Sequence, residues 1–192
     1  MKTVIVVSHP NQASFSHYWA RRHERALAAD QANTIDFIDL HQEQFNPVMQ
    51  DADLTAYHHG AGVADDVLQM QQRLSLASEW VLVCPVYWWS MPAMLKGWVD
   101  RVLTRGFAYE DKDQRQQGLL QDKRIRLFMH AAADEATYQA YGYKELLIQQ
   151  LQQGVFGYCG VGTASIELIY GTESPDFDAE AALLPFYTDG GH

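Results

Sequence analysis

The feature that most constrains the fold is a continuous apolar run at residues 80–84, which a proline follows at once. The run reads Trp-Val-Leu-Val-Cys, and a short apolar run rich in β-branched residues is typical of a strand buried on both faces of a parallel sheet. Pro85 ends it. Ser90 is the predicted N-cap of the next helix, Pro92 lies in its predicted first turn, and apolar side chains recur at helical spacing over residues 95–103. A strand, an aromatic loop and a helix in direct succession predict a ligand site, because open α/β sheets bind ligands at the carboxyl ends of their strands.

The same alternation of strand patterns and helix patterns continues through the chain. The other predicted strands are residues 4–7, 34–40, 125–129 and 165–170, and the other predicted helices are one that ends near residue 29 and those at residues 63–78, 141–153 and 177–187. Residues 51–62 are interpreted as irregular and polar. The first loop has no G-x-G-x-x-G or G-x-x-x-x-G-K motif, which disfavours a Rossmann dinucleotide site and a P-loop. We therefore predict an α/β fold, with residues 1–192 forming a single domain around a flavodoxin-like, doubly wound, five-stranded parallel sheet.

Charge and cysteine content exclude several classes of function. The formal net charge is −10, which argues against a nucleic-acid or anionic-membrane partner because both require a basic surface. Cys84 and Cys159 are the only cysteines and form no C-x-x-C pair, so we expect a reduced, cytoplasmic protein. The amino-terminal apolar run is too short for a signal peptide, and no run reaches the ~18 residues of a membrane helix. His58 and His59 lack companion ligands at metal-binding spacing, so we expect no metal site.

The loop after the first predicted strand is suited to binding a phosphate. Residues 8–16 offer hydroxyl, amide and imidazole groups together with free backbone N–H groups at a helix start. In the alternative interpretation, Ser14 or Ser16 only caps the helix and His9 bonds the backbone. We interpret His17 and His23 as surface or packing residues of that helix.

Several ordered motifs carry a resemblance to a known family. They are P-V-Y-W-W-S-M-P-A-M-L-K-G-W at residues 85–98, D-R-V at 100–102, G-F-A-Y at 106–109, S-H-P at 8–10, S-F-S at 14–16 and F-N-P at 45–47. With them the chain resembles the NAD(P)H:quinone oxidoreductase family of flavodoxin-like flavoproteins. That family includes the modulator-of-drug-activity quinone reductases and the ancillary flavoproteins of glutathione-gated potassium efflux systems. The resemblance covers most of the chain up to residue 109 and becomes weaker beyond it.

The resemblance implies a flavin site made of the first two loops. It assigns the flavin phosphate to His9, Ser14, Phe15 and Ser16, and it places Pro85, Val86, Tyr87, Trp88 and Trp89 along the isoalloxazine ring. Flat aromatic side chains can stack on a flavin or form the wall of a substrate pocket. In the alternative interpretation, Tyr87 and Trp89 alternate into the core and Trp88 is incidental. The short segment after residue 170 favours FMN, with FAD as the alternative.

The third loop departs from the family pattern. In place of the family's Thr-Thr-Gly-Gly, the resemblance assigns ring contacts to His130, Ala131, Ala132 and Ala133. Tyr138 matches the family's hydride-transfer tyrosine, whereas Lys144 or Tyr143 stands where a histidine is expected. Either Tyr138 donates to the developing oxyanion with Lys144 as a substitute cation, or the pocket serves a different acceptor and the activity is weak.

Two functions follow from the resemblance. The first is a flavoenzyme that transfers two electrons from NAD(P)H to quinones or related electrophiles, as a homodimer whose exposed aromatic residues near Trp88 and Tyr138 form a shared active site. The alternative is an ancillary regulatory flavoprotein that binds a membrane potassium efflux transporter. Lys96 and Arg101 are predicted to be either solvated helix charges or ligand or dimer contacts.

Overall fold

A computed structural model describes residues 1–59, 62–112 and 115–188 of the chain. Its strands are β1 (Lys2–Val7), β2 (Thr34–Asp39), β3 (Glu79–Pro85), β4 (Tyr109–Lys112), β5 (Arg115–Gly118), β6 (Arg124–His130) and β7 (Thr163–Ile169). Five of them form a parallel sheet in the order β2-β1-β3-β6-β7, and β4 and β5 form a separate antiparallel hairpin. The predicted five-stranded, flavodoxin-like parallel sheet is confirmed.

Helices cover both faces of this sheet. They are α1 (Phe15–Ala28), α2 (Asp51–His59), α3 (Asp65–Ser75), α4 (Ala93–Val102), α5 (Glu135–Tyr141), α6 (Tyr143–Leu147), α7 (Ala179–Leu183) and α8 (Pro185–Thr188), together with a π-helical segment (Ile148–Phe156). The strands are apolar on both faces because both are buried. Val4 and Val6 pack on the side of α3 and α4, whereas Ile5 and Val7 pack on the side of α1 and α7.

Three predicted segments differ from the observed structure. Residues 51–59 form α2, although only Asp53 and Ala56 of that helix are buried, so it lacks the apolar stripe that predicts a helix. Residues 60 and 61 of the same prediction lie outside the described part. The predicted helix 141–153 instead begins at residue 143, because Gly142 has a left-handed φ of 66° and separates α5 from α6. The predicted helix 177–187 is two short helices, α7 and α8.

The start of α4 also differs from the prediction. Pro92 is the N-cap residue and no side chain caps the helix, so Ser90 does not cap it. Ser90 instead closes the turn that precedes Pro92. The predicted apolar face of α4 is buried as expected, with Leu95, Trp98 and Val102 inaccessible to solvent.

Arg101 fixes the position of α2 and α3 against α4. Its side chain is 2% exposed, with Nε 2.8 Å from an Asp53 carboxylate oxygen and Nη1 2.6 Å from an Asp66 carboxylate oxygen. Nη1 also donates to the carbonyl oxygen of Asn46 at 2.7 Å. Arg101 is therefore a buried structural contact rather than a solvated charge. Lys96, by contrast, forms an exposed pair with Asp100.

Across the ranges that the structure describes, no helix combines the length and the apolar character needed to cross a bilayer.

Candidate functional site

Three loops meet at the carboxyl edge of the sheet, because β1, β3 and β6 are neighbours. Backbone hydrogen bonds join the ends of their strands. Ser8 donates to Val83 at 3.0 Å, and Val86 donates to His130 at 2.7 Å. The arrangement brings the predicted phosphate loop, the aromatic loop and the third loop to one edge, where ligands bind in open α/β sheets.

The aromatic loop is a tight turn with an unfavourable backbone. Tyr87 and Ser90 exchange two backbone hydrogen bonds of 3.0 and 3.1 Å, and between them Trp88 and Trp89 have φ angles of 49° and 54°. Positive φ at both central residues is the pattern of a type I′ turn, which Asn and Gly normally occupy. Each left-handed L-residue costs about 1 kcal/mol or more. Strain of this kind is found mainly at functional sites.

The aromatic side chains of this turn lie outside the core. Trp88 is 88% exposed, Tyr87 48% and Trp89 39%, so the interpretation that placed Tyr87 and Trp89 in the core is wrong. Pro85, in contrast, is buried as the last residue of β3. The turn therefore presents flat aromatic surfaces to solvent at the edge of the sheet. The backbone strain at Trp88 and Trp89 is not compensated by burial of their side chains in the core.

The strain predicts a difference between two substitutions at Trp88. Trp88→Gly is expected to be more stable to unfolding than Trp88→Ala by about 1 kcal/mol, because glycine adopts a left-handed φ without steric cost. Both variants lose the ring equally, so the loss of the ring does not affect the comparison. Urea unfolding of the two variants measures the difference. Equal stability would show that the turn is not strained at Trp88.

The phosphate loop ends at the start of α1. Ser14 is the N-cap, and its Oγ accepts from the backbone N–H of His17 at 3.4 Å. Among the described residues no acceptor contacts the backbone N–H groups of Phe15 and Ser16, as expected for the first turn of a helix. His9 is held through Nδ1, which lies 3.0 Å from the Asn11 amide nitrogen. The loop thus offers two free amides at the positive end of a helix dipole.

Ser16 and His130 bond to each other inside the protein. The Oγ atom of Ser16 lies 2.8 Å from Nε2 of His130, whose Nδ1 is 3.2 Å from Oγ1 of Thr172. Since Thr172 donates to the carbonyl of Ala131, Nδ1 carries the imidazole hydrogen and Ser16 donates to Nε2. Burial lowers the pKa of His130 to about 4, so the ring is neutral. The side chains of Ser16 and His130, which were expected to contact a cofactor, therefore bond to each other. Ser16 can offer a cofactor only its backbone N–H as a donor.

The third loop is fixed by the segment after β7. The carbonyl oxygen of Ala131 accepts from Thr172 and that of Ala133 accepts from Gly171, at 3.0 and 2.9 Å. The side chain of Ala131 is buried and that of Ala132 is exposed. Phe15 packs beneath this loop, with its ring 5.2 Å from that of His130. The loop exposes Ala132 although alanines stand where the family pattern has glycines.

Tyr138 lies behind the aromatic turn rather than on the surface. It is 2% exposed, and its ring centroid is 5.7 Å from that of Tyr143 and 5.0 Å from that of Tyr170. Tyr143 in turn lies 4.6 Å from Trp89. Exposed aromatic residues do lie near Tyr138, Tyr141 among them, but Tyr138 itself is buried and Tyr143 joins it to the turn. Lys144 is exposed and forms no ion pair with the described residues.

Burial raises the pKa of Tyr138 to about 12, and the neighbouring Tyr170 and Tyr143 add to the effect. The phenol therefore keeps its proton throughout the physiological pH range. None of the described residues accepts a hydrogen bond from its hydroxyl. Tyr138 is consequently a neutral donor without a partner of its own.

A cavity of about 300 Å³ lies apart from these loops, between α2, α4 and the π-helical segment. Its walls include Tyr57, Val99, Tyr109 and Tyr158. Tyr57 is 57% exposed and Tyr158 47%. The sequence did not predict this cavity, because its walls come from segments far apart in the chain.

The strand order and the loops at the carboxyl edge define a flavodoxin-like α/β protein. The chain belongs to the Flavodoxin_2 family, described by its flavodoxin-like fold, whose family model matches residues 1–184.

Comparisons with individual proteins agree with this assignment. An "Uncharacterized NAD(P)H oxidoreductase" of Haemophilus influenzae is 31% identical over 185 residues, which cover 96% of this chain and 91% of that protein. NAD(P)H dehydrogenase (quinone) 1 of Rattus norvegicus is 26% identical over 95% of this chain and 73% of that protein. The structure of an NAD(P)H:quinone oxidoreductase from Methanothermobacter marburgensis superposes with a TM-score of 0.86 at 24% identity, covering 99% of this chain and 95% of that one.

Proposed function

We propose that the chain is a flavin-dependent NAD(P)H:quinone oxidoreductase, acting as a single flavin-binding domain. The observation that carries this is the strained, exposed aromatic turn next to two free helix-start amides, at the carboxyl ends of adjacent strands. The names of the relatives support an oxidoreductase. They do not favour the alternative of an ancillary subunit of a potassium efflux system.

The residues present fit a flavin phosphate and ring. The free amides of Phe15 and Ser16, the Ser14 hydroxyl and His9 would hold the phosphate. The backbone from Val86 to Trp89 and the open loop at Ala132 would lie along the ring. A bound flavin supplies two-electron chemistry, accepting hydride from NAD(P)H and passing electrons to a quinone. We propose FMN rather than FAD, supported by a neighbouring fold, an FMN-dependent NADH-azoreductase of Bacillus anthracis solved in complex with FMN (TM-score 0.75, 18% identity).

On the substrate side, the neutral phenol of Tyr138 would donate to the oxygen of the quinone as negative charge develops there. The exposed ammonium of Lys144 would add a positive charge nearby. The aromatic residues Trp89 and Tyr143 would form the wall between solvent and Tyr138 and so limit the access of water. Because the flavin carries the electron transfer, Tyr138 would raise the rate without being essential to the reaction.

The role of Tyr138 predicts a selective loss of rate. In the FMN-loaded protein, Tyr138→Phe is expected to lower kcat/KM for a quinone roughly ten- to hundredfold, because one positioned donor is removed. The affinity for FMN should not change. Tyr141→Phe is the matched control, since Tyr141 lies on the same helix and is 68% exposed. Steady-state quinone reduction measures both. A Tyr138→Phe variant with the wild-type rate would overturn the assignment.

We further propose that two copies associate and share the active site. The exposed aromatic side chains of Tyr87 and Trp88 at the carboxyl edge of the sheet form a surface that a second copy would cover. Cys84 and Cys159 are buried and free, which fits action in a reducing cytoplasm.

A further inference from the structure

The side chain of Tyr143, the first residue of α6, lies between the aromatic turn and Tyr138. The centroid of its ring is 4.6 Å from that of Trp89, with the two planes tilted by 38°. The same ring is 5.7 Å from that of Tyr138, which it meets edge to face at 81°. No ring contact joins Trp89 directly to Tyr138 within the described part of the chain. Tyr143 therefore fills the gap between the exposed turn and the buried phenol.

Tyr143 is held less firmly than Tyr138. It is only partly buried, and it stacks on Tyr141 at 5.3 Å with the planes 20° apart. Two of its ring partners, Tyr141 and Trp89, are themselves 68% and 39% exposed. Its hydroxyl has no hydrogen-bond partner among the described residues. The side chain can consequently turn toward solvent without leaving a buried polar group unpaired, which is the costly event in breaking a hydrogen bond.

An acceptor cannot reach Tyr138 while the Tyr143 ring is in this position. Tyr138 is 2% exposed, and two rings lie against it, those of Tyr143 and Tyr170. Tyr170 directly follows β7, whereas Tyr143 also contacts the aromatic turn. If Tyr143 turns toward solvent, it leaves a slot with the shape of a planar ring, bounded by Trp89 and Tyr138.

We propose that the ring of the quinone binds where the Tyr143 ring lies in the free protein, and that Tyr143 turns aside to admit it. This rests on the proposed function, which makes Tyr138 the donor to the quinone oxygen. In that slot a flat ring stacks on Trp89, reaches the Tyr138 hydroxyl and excludes water in place of Tyr143. The slot admits planar acceptors of one or two fused rings and rejects puckered, saturated ones. Tyr143 is thus a specificity-determining residue that competes with the acceptor for its site.

This competition has a measurable sign. Wild type binds an acceptor only in the fraction of molecules whose Tyr143 has turned aside, and its apparent affinity is reduced by that fraction. Tyr143→Ala leaves the slot free, so a flat ligand should bind roughly tenfold more tightly, or about 1.4 kcal/mol. Tyr143→Phe keeps the ring and should keep the wild-type affinity. A fixed wall at Tyr143 gives the opposite sign, because Tyr143→Ala would then lose a contact with the ligand.

The test is a calorimetric titration of the oxidised, FMN-loaded chain with 2-naphthol, a flat molecule that accepts no electrons, and with its saturated analogue decahydro-2-naphthol. Tyr158→Ala is the control, since Tyr158 is 47% exposed and borders the cavity away from the turn. Wild type and Tyr158→Ala should bind 2-naphthol equally, and more tightly than the saturated analogue. Tyr143→Ala should bind 2-naphthol roughly tenfold more tightly than wild type. In steady-state reduction of 1,4-naphthoquinone, Tyr143→Ala should lower KM by a similar factor and change kcat less.

The outcomes separate this inference from the proposed function. If the FMN-loaded wild type reduces no 1,4-naphthoquinone, the proposed function itself fails. If it reduces the quinone, but Tyr143→Ala binds 2-naphthol no more tightly than wild type or has an unchanged or higher KM, the assignment of the slot alone is overturned. Equal binding of decahydro-2-naphthol by wild type would overturn the selectivity for flat rings. If Tyr143→Ala does not fold, Tyr143→Val provides the same comparison, because it also lacks the ring.

Discussion

Replacing Arg101 by alanine is expected to lower the free energy of unfolding by about 3–5 kcal/mol, the usual cost of removing one partner from a buried ion pair. The side chain of Asp53 is 4% exposed and would be left as a buried charge without its cation. Arg101 also bonds the backbone of Asn46 and the carboxylate of Asp66. One substitution therefore loosens α2, α3 and the segment before α2 together. Since domains of this size are stable by about 5–15 kcal/mol, the loss is a large fraction of the total.

The control for this experiment is Arg73. It also joins two carboxylates, those of Asp36 and Glu43, but it is 29% exposed, so water can replace the lost partner. Arg73→Ala is expected to cost only about 1 kcal/mol. Urea unfolding of both variants decides the matter. If Arg101→Ala is no less stable than Arg73→Ala, the buried pair does not hold α2 in place.

Acidification below neutral pH is expected to destabilise the fold strongly, because two buried histidines resist protonation. Burial lowers the pKa of both His23 and His130 to about 4, and the charge of Arg126 adds to the effect at His23. In the unfolded chain both side chains take up protons near pH 6.5. The unfolded state therefore binds more protons between pH 6.5 and pH 4, and stability falls as the pH drops through that window. Each histidine contributes about 3 kcal/mol of this loss.

A substitution at His23 distinguishes the loss of stability caused by the buried histidines from other effects of acid on the fold. Both of its ring nitrogens are buried without a partner among the described residues, and its ring lies 5.0 Å from that of Phe128. His23→Phe should remove about half of the loss measured by thermal or urea unfolding at pH 7 and pH 4.5. His58→Phe, at an exposed position, should leave it unchanged. An equal loss in wild type and His23→Phe would show that His23 does not cause the acid destabilisation.

The sheet could be predicted from the sequence because its strands are buried on both faces. A continuous apolar run such as residues 80–84 has few other stable placements. Because the loops that follow neighbouring parallel strands lie at the same edge of the sheet, the approximate location of the site could also be predicted. The α2 helix could not be predicted in this way, because it is held by the Asp53–Arg101 pair across 48 residues rather than by an apolar stripe.

The details of the site depend on contacts that sequence spacing does not reveal. The Ser16–His130 bond joins residues 114 positions apart, and it engages two side chains that were expected to face a cofactor. Trp88 and Trp89 adopt a left-handed backbone that tryptophan rarely takes. Because turns are predicted from the conformational preferences of their residues, this turn could not be predicted from the sequence. The sequence marks Tyr143 only as one of two residues that stand where a histidine is expected, whereas its contact with Trp89 depends on the break between α5 and α6 at Gly142.

We propose that this edge of the sheet holds a flavin that passes electrons from NAD(P)H to a quinone. The most direct test is the visible absorbance of the purified chain after loading with FMN, followed anaerobically as NAD(P)H and then a quinone are added. We expect about one FMN to be retained per chain, the flavin absorbance to be lost on addition of NAD(P)H and to return on addition of the quinone. A chain that retains no FMN, or whose bound FMN keeps its absorbance in excess NAD(P)H, would contradict this proposal.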